Sequence, residues 1–391
     1  MRILVLGAGR MGLGAVHDLA SQPDVTEVTV ADAYGDKARE IAARVGSQDA
    51  AGSGGAKVTP VQIDCNDDAA VVALMRGHAA VISCVNYWYN EKLAAAAIEA
   101  GTNFCDLGGN NDVVAAELAL DRRAHDAGVN IIPDCGLAPG MVAVLVAHAT
   151  QRFEALDEIH IRVGGLPQDP KPPLDYQLVF SVEGLINEYV EPARIVRDGR
   201  IVTVDSMTEL EELEFPAPFQ RMEAFQTSGG TSTLPETFFG KVRDLDYKTI
   251  RYPGHCDKFK TMIDLGLCSS DAIEVDGVSV KPRRVLGDLL VRNLPHDGPD
   301  VVLVRVEVIG TSGGATRRLR YDIIDSFDPE TGLSAMMRTT AFPASIVALM
   351  MARGQTTAKG ALPQERCIPP DLFMEELAKR NIVVHESLTE L

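Results

Sequence analysis

A chain of 391 residues with 46% hydrophobic and 24% charged side chains has the composition of a globular protein and the length for two domains, or for one nucleotide-binding domain with a large insertion. Its formal charge of −18 argues against nucleic acid or anionic lipid as a partner, since both are met by clustered lysine and arginine. No uninterrupted apolar run reads as a membrane span, the seven cysteines lack the Cys-x-x-Cys spacing of a metal site, and a first strand starting at residue 1 makes cytoplasmic placement the expectation.

The chain opens on a strand: Ile3 to Leu6 is a run of four apolar residues that stops at Gly7, and Met11 to Ser21 has helical spacing through Met11, Ala15, Leu19 and Ala20. Gly7, Gly9 and Gly12 therefore sit at a strand-to-helix turn. In such a turn the first glycine makes the bend, the second lets the backbone approach a pyrophosphate, and the third lets the helix lie close to the strand. Arg10 and Met11 begin the helix whose N-terminus meets the pyrophosphate, and Arg10 is near enough to touch a phosphate. Val28 to Asp32 is the second strand. A carboxylate at its end accepts from a ribose 2′-OH and repels a 2′-phosphate, so Asp32 predicts NAD as the cofactor.

Asp36 to Val45 reads as the second helix and residues 46–57 as a surface loop rich in glycine, serine and alanine. Val58 to Ile63 and Val81 to Cys84 are the third and fourth strands. In an open doubly wound parallel sheet of this Rossmann type, ligands lie beyond the carboxyl ends of the strands, which puts Asp64, Cys65, Cys84, Val85 and Asn86 along the cofactor. Asn90 to Ala100 is a helix with Asn90 as cap and Gly101 as stop, and a short strand ends at Asp106-Leu107-Gly108-Gly109. Asn111 to Ala127 is helical, and Val129 to Ile132 runs into Pro133-Asp134-Cys135.

From Glu158 to Ile324 the texture changes to strand-like runs, at Ile159 to Val163, Ile201 to Val204, Val301 to Ile309 and Arg318 to Ile324, which predict the mixed sheet of an α+β domain. Two apolar helices follow, Pro343 to Arg353 and Pro370 to Arg380. The expected fold class is α/β, with a nucleotide-binding domain over 1–140, a substrate-binding and oligomerisation domain over 141–340, and C-terminal helices over 341–391 that pack back on the first domain.

Several stretches resemble a known family. The N-terminal fingerprint, Asp134 to Gly140, Gly164 to Pro167, Phe180 to Gly184 and Lys248 to His255 are similar to saccharopine dehydrogenase-like oxidoreductases, along nearly the whole chain. Within that family Asp106 to Gly109, Thr227 to Thr233 and Tyr247 to Tyr252 most resemble the lysine 6-dehydrogenases. The resemblance implies NAD-dependent oxidation of L-lysine at its 6-amino group to 2-aminoadipate 6-semialdehyde, which cyclises, with ammonia and NADH released, and a homo-oligomer assembled through the second domain's sheet. Where saccharopine reductases carry an arginine that engages the glutamate part of their substrate, this chain has Gly230; where they carry an arginine suited to NADP after the second strand, it has Asp32-Ala33. Saccharopine or another amino-acid-derived imine is the rival substrate, and an NAD-binding redox sensor without turnover the rival class.

The implied chemistry asks for a base, because deprotonating a lysine ammonium of pKa near 10.4 at pH 7 costs about 4 to 5 kcal/mol. His255 is a candidate base or relay and a packed histidine is its alternative. Arg251, whose fork matches a carboxylate, is read as the substrate clamp, against a structural salt bridge. Asp106 is placed to orient or deprotonate the amine, and Asp134 to contact the nicotinamide ribose or substrate; for both, a turn-forming aspartate is the other reading. Tyr87 is a candidate wall of the nicotinamide pocket, and Glu183 a candidate for the substrate's α-ammonium.

Overall fold

The computed structural model describes residues 1–49 and 57–391. These form two compact units, Met1–His148 with Met337–Ile382, and Ala149–Met336 with Val383–Leu391.

The first unit begins with β1 (Arg2–Leu6), α1 (Arg10–Ala20), β2 (Glu27–Asp32), α2 (Gly35–Asp49), β3 (Lys57–Gln62), α3 (Asp68–Met75), β4 (Ala80–Ser83), α4 (Asn90–Ala100), β5 (Asn103–Asp106), α5 (Asn111–Leu118), α6 (Asp121–Asp126) and β6 (Asn130–Ile132). The loop expected at 46–57 is helix as far as Asp49, residues 50–56 lie outside the described residues, and Lys57 already begins β3. Asn90 is the first helical residue rather than the cap; its Oδ1 accepts from Ser83 Oγ at 2.8 Å. The helix expected over 111–127 divides, because the Leu120 amide reaches back three residues to the Glu117 carbonyl and tightens the turn.

Met141–Thr150 (α7) leads into the second unit, which holds β7 (Ala155–Pro167), α8 (Val182–Val190), β8 (Ala193–Arg197), β9 (Arg200–Val204), β10 (Glu211–Phe215), β11 (Gln220–Gln226), α9 (Leu234–Phe238), β12 (Asp244–Arg251), α10 (His255–Asp264), β13 (Ile273–Val275), β14 (Val278–Val280), α11 (Pro282–Asn293), β15 (Asp300–Ser312) and β16 (Ala315–Ser326). The chain then forms α12 (Ala335–Ala352), β17 (Gly360–Ala361), α13 (Gln364–Cys367), α14 (Pro370–Lys379) and β18 (His385–Glu390).

Among the described residues the first unit's sheet is parallel throughout, in the order β17-β6-β5-β4-β1-β2-β3. From β1 the chain fills one side as far as β3, then crosses to β4 and fills the other. The reversal between β1 and β4 opens the crevice in which such sheets bind ligands. Leu4, Leu6, Val81, Phe104 and Ile131 on the sheet pack with Leu93, Ala97 and Ile98 of α4.

α12 lies against α1, where a Cβ on Gly14 would stand 2.9 Å from Ala341 Cβ and 3.2 Å from Met337 O. By length and composition α12 is apolar enough to cross a bilayer, against the expectation that no such segment exists, yet 83% of it is buried inside the protein, as in a core helix. It also starts eight residues before Pro343, because Asp300 takes the amides of Ala335 (2.6 Å) and Met336 (2.9 Å) and caps it there.

The second unit's sheet is mixed, in the order β10-β11-β12-β7-β15-β16-β18, with β8 and β9 branching from β12; β12 and β7 run parallel. Its last strand is β18, in a stretch where only helices were expected. Along β7 Ile159, Ile161 and Val163 are buried, while His160 and Arg162 point to the opposite, charged face. An aromatic core of Tyr176, Tyr189, Phe225 and Phe259 lies under α8, α10 and α11.

Candidate functional site

At the switch between β1 and β4, Gly7 has φ +100, and a Cβ there would lie 2.7 Å from the Cys84 carbonyl oxygen. A Cβ on Gly12 would lie 1.9 Å from Gly7 O, so helix and strand meet only because both residues are glycine. Gly9 is different: among the described residues, its own chain neighbours aside, no atom stands within 4 Å of where its Cβ would be. No side chain caps α1 at Gly9, and the first turn has no acidic residue. These are the features of an anion cradle, with open space above the backbone and the positive end of a helix dipole beneath it. Arg10 and Met11 form the first turn of that helix.

Asp32 is fixed beside this cradle. Its Oδ2 accepts from the Ala8 amide at 2.7 Å and its Oδ1 from the Tyr34 amide at 2.8 Å, so the negative charge is held next to the glycine turn. Val85 packs over Gly7, its Cγ1 3.1 Å from the Cβ position. Burial pushes the thiols of Cys65 and Cys84 above the usual cysteine value, which leaves them neutral and apolar in character. Asp64 forms an Asx turn, its Oδ1 taking the amide (2.9 Å) and side chain (2.8 Å) of Asn66. Asn86 is exposed and precedes a single helical turn, Tyr87–Tyr89, without capping it through its side chain. The Tyr87 ring lies on Gly109, 3.1 Å from the Cβ position.

Acids gather at the carboxyl ends of β5 and β6. Asp106 is fully buried, and its Oδ1 accepts from the amides of Gly108 (2.6 Å) and Asp134 (3.3 Å). Asp134 has φ 62, and its Oδ1 fills the place of a Cβ on Gly108, at 1.9 Å. Glu117, from α5, is fully buried and faces Asp106 within hydrogen-bonding reach. Burial, followed by the charge of Asp106, pushes its carboxyl up to about 11. Nothing in the residue pattern marks Glu117, since a glutamate in an alanine-rich helix reads as a solvated face.

In the second unit Arg251 ends β12 in full burial. Its Nε donates to Tyr189 Oη at 2.7 Å and its Nη1 to Ile250 O at 2.9 Å, and its Nη2 stands 3.8 Å from Glu188. The guanidinium also lies 4.8 Å over the Tyr176 ring. His255 is buried beside it, with Nδ1 2.9 Å from Leu174 O and Nε2 3.1 Å from Tyr189 Oη. A carbonyl only accepts, so Nδ1 carries the hydrogen, Nε2 accepts from Tyr189, and Tyr189 in turn accepts from Arg251. Burial, then the charge of Arg251, lowers His255 to about 3.

Both ring nitrogens of His255 are thus engaged and the ring is held neutral, an environment that matches the packed-histidine alternative more than that of an open base. Arg251 is likewise buried and tied to Tyr189 and Ile250, and Glu188 is the acid beside it. Glu183, read as a holder of an α-ammonium, makes a two-pronged ion pair with Arg283 at 2.9 and 3.0 Å on the surface of this unit.

Comparison with known proteins bears on both units. The model of the saccharopine dehydrogenase NADP binding domain matches residues 3–132, and that of the saccharopine dehydrogenase C-terminal domain matches residues 136–383. The chain belongs to the saccharopine dehydrogenase family. Its first unit is therefore a nicotinamide-cofactor domain, and the protein is an oxidoreductase of a family that acts on amine or imine carbon.

Among curated relatives of this saccharopine dehydrogenase-family protein, carboxyaminopropylagmatine dehydrogenase of Synechocystis is 23% identical over 98% of the chain and 97% of its own length. The L-glutamate-forming, NADP(+) saccharopine dehydrogenase of Saccharomyces cerevisiae is 24% identical, over 70% of the chain and 60% of its own length. In solved structures the fold is that of the apo form of the latter enzyme, with a TM-score of 0.81 at 20% identity and 99% of each chain covered. The homospermidine synthase of Legionella pneumophila shares it at 0.68 and 12% identity, over 99% of this chain and 91% of that one.

Proposed function

We propose that the protein is an NAD-dependent dehydrogenase that oxidises L-lysine at carbon 6. Lysine, NAD and water give 2-aminoadipate 6-semialdehyde, ammonium, NADH and a proton. The observation that carries the substrate is Gly230. A Cβ there would lie 2.4 to 2.5 Å from the buried Tyr247 ring, so the position matching the glutamate-engaging arginine of saccharopine reductases has no room for a side chain. A substrate without a glutamate part suits that loss.

Asp32 supports NAD over NADP, although the matching family model is named for NADP binding. Its carboxylate is held by two amides, and a 2′-phosphate beside it would meet a fixed negative charge. Bound NAD supplies the hydride acceptor. Asp134, held at the carboxyl end of β6 by Asp106 of β5, is the group we assign to hold the proton released by the substrate ammonium, and the Tyr87 ring shields that edge from water.

A second reading rests on coverage: carboxyaminopropylagmatine dehydrogenase and the carboxynorspermidine synthase of Vibrio cholerae are both matched over nearly their full length, the latter 23% identical over 96% of the chain and 94% of its own length. On that reading the substrate is a secondary amine joining a carboxyalkyl group to a polyamine. NADH production with lysine, saccharopine, carboxynorspermidine and carboxyaminopropylagmatine, each offered alone with NAD, decides between them. Turnover with lysine is expected; turnover only with a secondary amine overturns the lysine reading and keeps the family chemistry.

A further inference from the structure

The pairing of Glu117 with Asp106 poses a chemical problem that the cofactor cradle does not explain. Both residues are fully buried, and among the described residues no N–H or O–H donor reaches Asp106 Oδ2 or either oxygen of Glu117. The charged groups facing Glu117 are Asp106 from β5, Asp134 from the loop after β6 and Glu91 from α4, all of them acids. Two facing carboxylates only repel each other unless one of them carries a proton, in which case that proton is the missing donor. Asp106 already accepts two amides on Oδ1, which favours its ionised form, whereas nothing favours a charge on Glu117.

We propose that Glu117 is a positioning residue that remains protonated at neutral pH and donates its hydrogen to Asp106 Oδ2, so that the pair holds one proton and keeps Asp106 in place. Asp106 bridges the loops that follow β5 and β6 through the amides of Gly108 and Asp134. It thereby holds Asp134 in a left-handed conformation that an aspartate rarely adopts. Glu117 thus sets the shape of the acidic edge from the far side, inside α5. The inference stands on the first unit alone and does not depend on lysine being the substrate.

Glu117→Gln keeps a neutral donor of the same shape, and Glu117→Leu removes the donor. A raised carboxyl pKa in the folded state makes stability fall as pH rises above the unfolded value, by about tenfold in the folding constant per pH unit. Denaturant unfolding from pH 5 to 9 is therefore expected to show Glu117→Gln gaining on the wild type by close to that factor at each step. Isotope-edited infrared spectra of wild type carrying 13C-glutamate are expected to show a protonated-acid carbonyl band at pH 7, absent from Glu117→Gln. NADH affinity, read by energy transfer from Trp88, the single tryptophan, is expected to survive in Glu117→Gln and to weaken about tenfold in Glu117→Leu. A wild-type spectrum without that band, a stability difference that does not change with pH, or equal NADH affinity in the two variants overturns the proposal. If Glu117→Gln does not fold, the wild-type spectrum and Asp106→Asn decide it: removing the Asp106 charge must lower the pH at which the band disappears. The lysine reading fails separately, by absence of NADH production from lysine in a wild type whose band is present.

Discussion

The three glycines of the turn do different work, and substitution separates them. Gly9 has an extended conformation and open space around its Cβ position, so Gly9→Ala is expected to leave the melting temperature within about 2 °C of wild type while abolishing NADH binding, because the methyl group occupies the cofactor's place. Gly12→Ala must move β1 or α1, since its Cβ would stand 1.9 Å from a carbonyl oxygen, and it is expected to lower stability and binding together. Thermal unfolding beside Trp88-to-NADH energy transfer checks both; a Gly9→Ala variant that binds NADH normally would remove the pyrophosphate from this loop. On the proposed NAD reading, Asp32→Ala removes a ribose acceptor and a negative charge. Its NAD affinity is expected to fall about tenfold and its NADP affinity to rise, as measured by titration with each cofactor.

Whole elements were legible where a local signal coincided with a tertiary one. β1, β2 and α4 were read closely because glycines or a carboxylate mark their ends, Gly101 stopping α4 in a left-handed turn. The start of α12 was not, since the aspartate that caps it lies 35 residues earlier, and β18 was not, since its six exposed residues show no apolar alternation. The cofactor cradle was visible in sequence for the same reason as β1. The surroundings of His255, Arg251 and Glu183 were not, because residue type and motif do not report burial or an ion-pair partner.

The charged face of β7 and β12 was equally hidden, and it has a consequence for pH. His160 contacts Asp246 through Nδ1 at 2.6 Å and Glu158 through Nε2 at 2.8 Å. Burial opposes its charge, but Asp246 first and Glu158 after it outweigh burial and hold the imidazole above its usual value. A histidine raised in the folded state contributes stability that is complete below about pH 6.5 and is lost as pH rises through the folded value. His160→Asn is therefore expected to be less stable than wild type by about 1 to 2 kcal/mol at pH 6, with the gap closing toward pH 9. Urea unfolding at both pH values measures this, and a gap that widens with pH would show that His160 is neutral in the fold.

At the scale of the molecule, the chain leaves the first unit in the last turn of α7 and returns to it in α12, so that unit is completed only by residues more than 300 positions from its first strand. One buried contact ties the two ends. Arg380, just after α14, donates from Nε to Asp18 of α1 at 2.8 Å and from Nη1 to Glu376 at 2.6 Å. Burial still raises Asp18 above the usual carboxylate value despite this partner, so desolvation outweighs the pairing and the contact is weak as a source of net stability. Breaking it from one side is another matter, because the aspartate would be left buried without its cation. Arg380→Leu is expected to destabilise the first unit by about 3 to 5 kcal/mol, and Asp18→Leu in the same chain to recover more than half of that. Trp88 lies in the first unit and is the single tryptophan, so its emission follows the unfolding of that unit directly. The sign of the pH effect is fixed by the same charge: a lone Asp18 has its pKa raised further, so the deficit of Arg380→Leu should be smaller at pH 4, where Asp18 takes up a proton, than at pH 8. A deficit equal at the two pH values, or a double variant no better than Arg380→Leu, would mean that Arg380 holds the returning helix by packing and that the charge on Asp18 is immaterial.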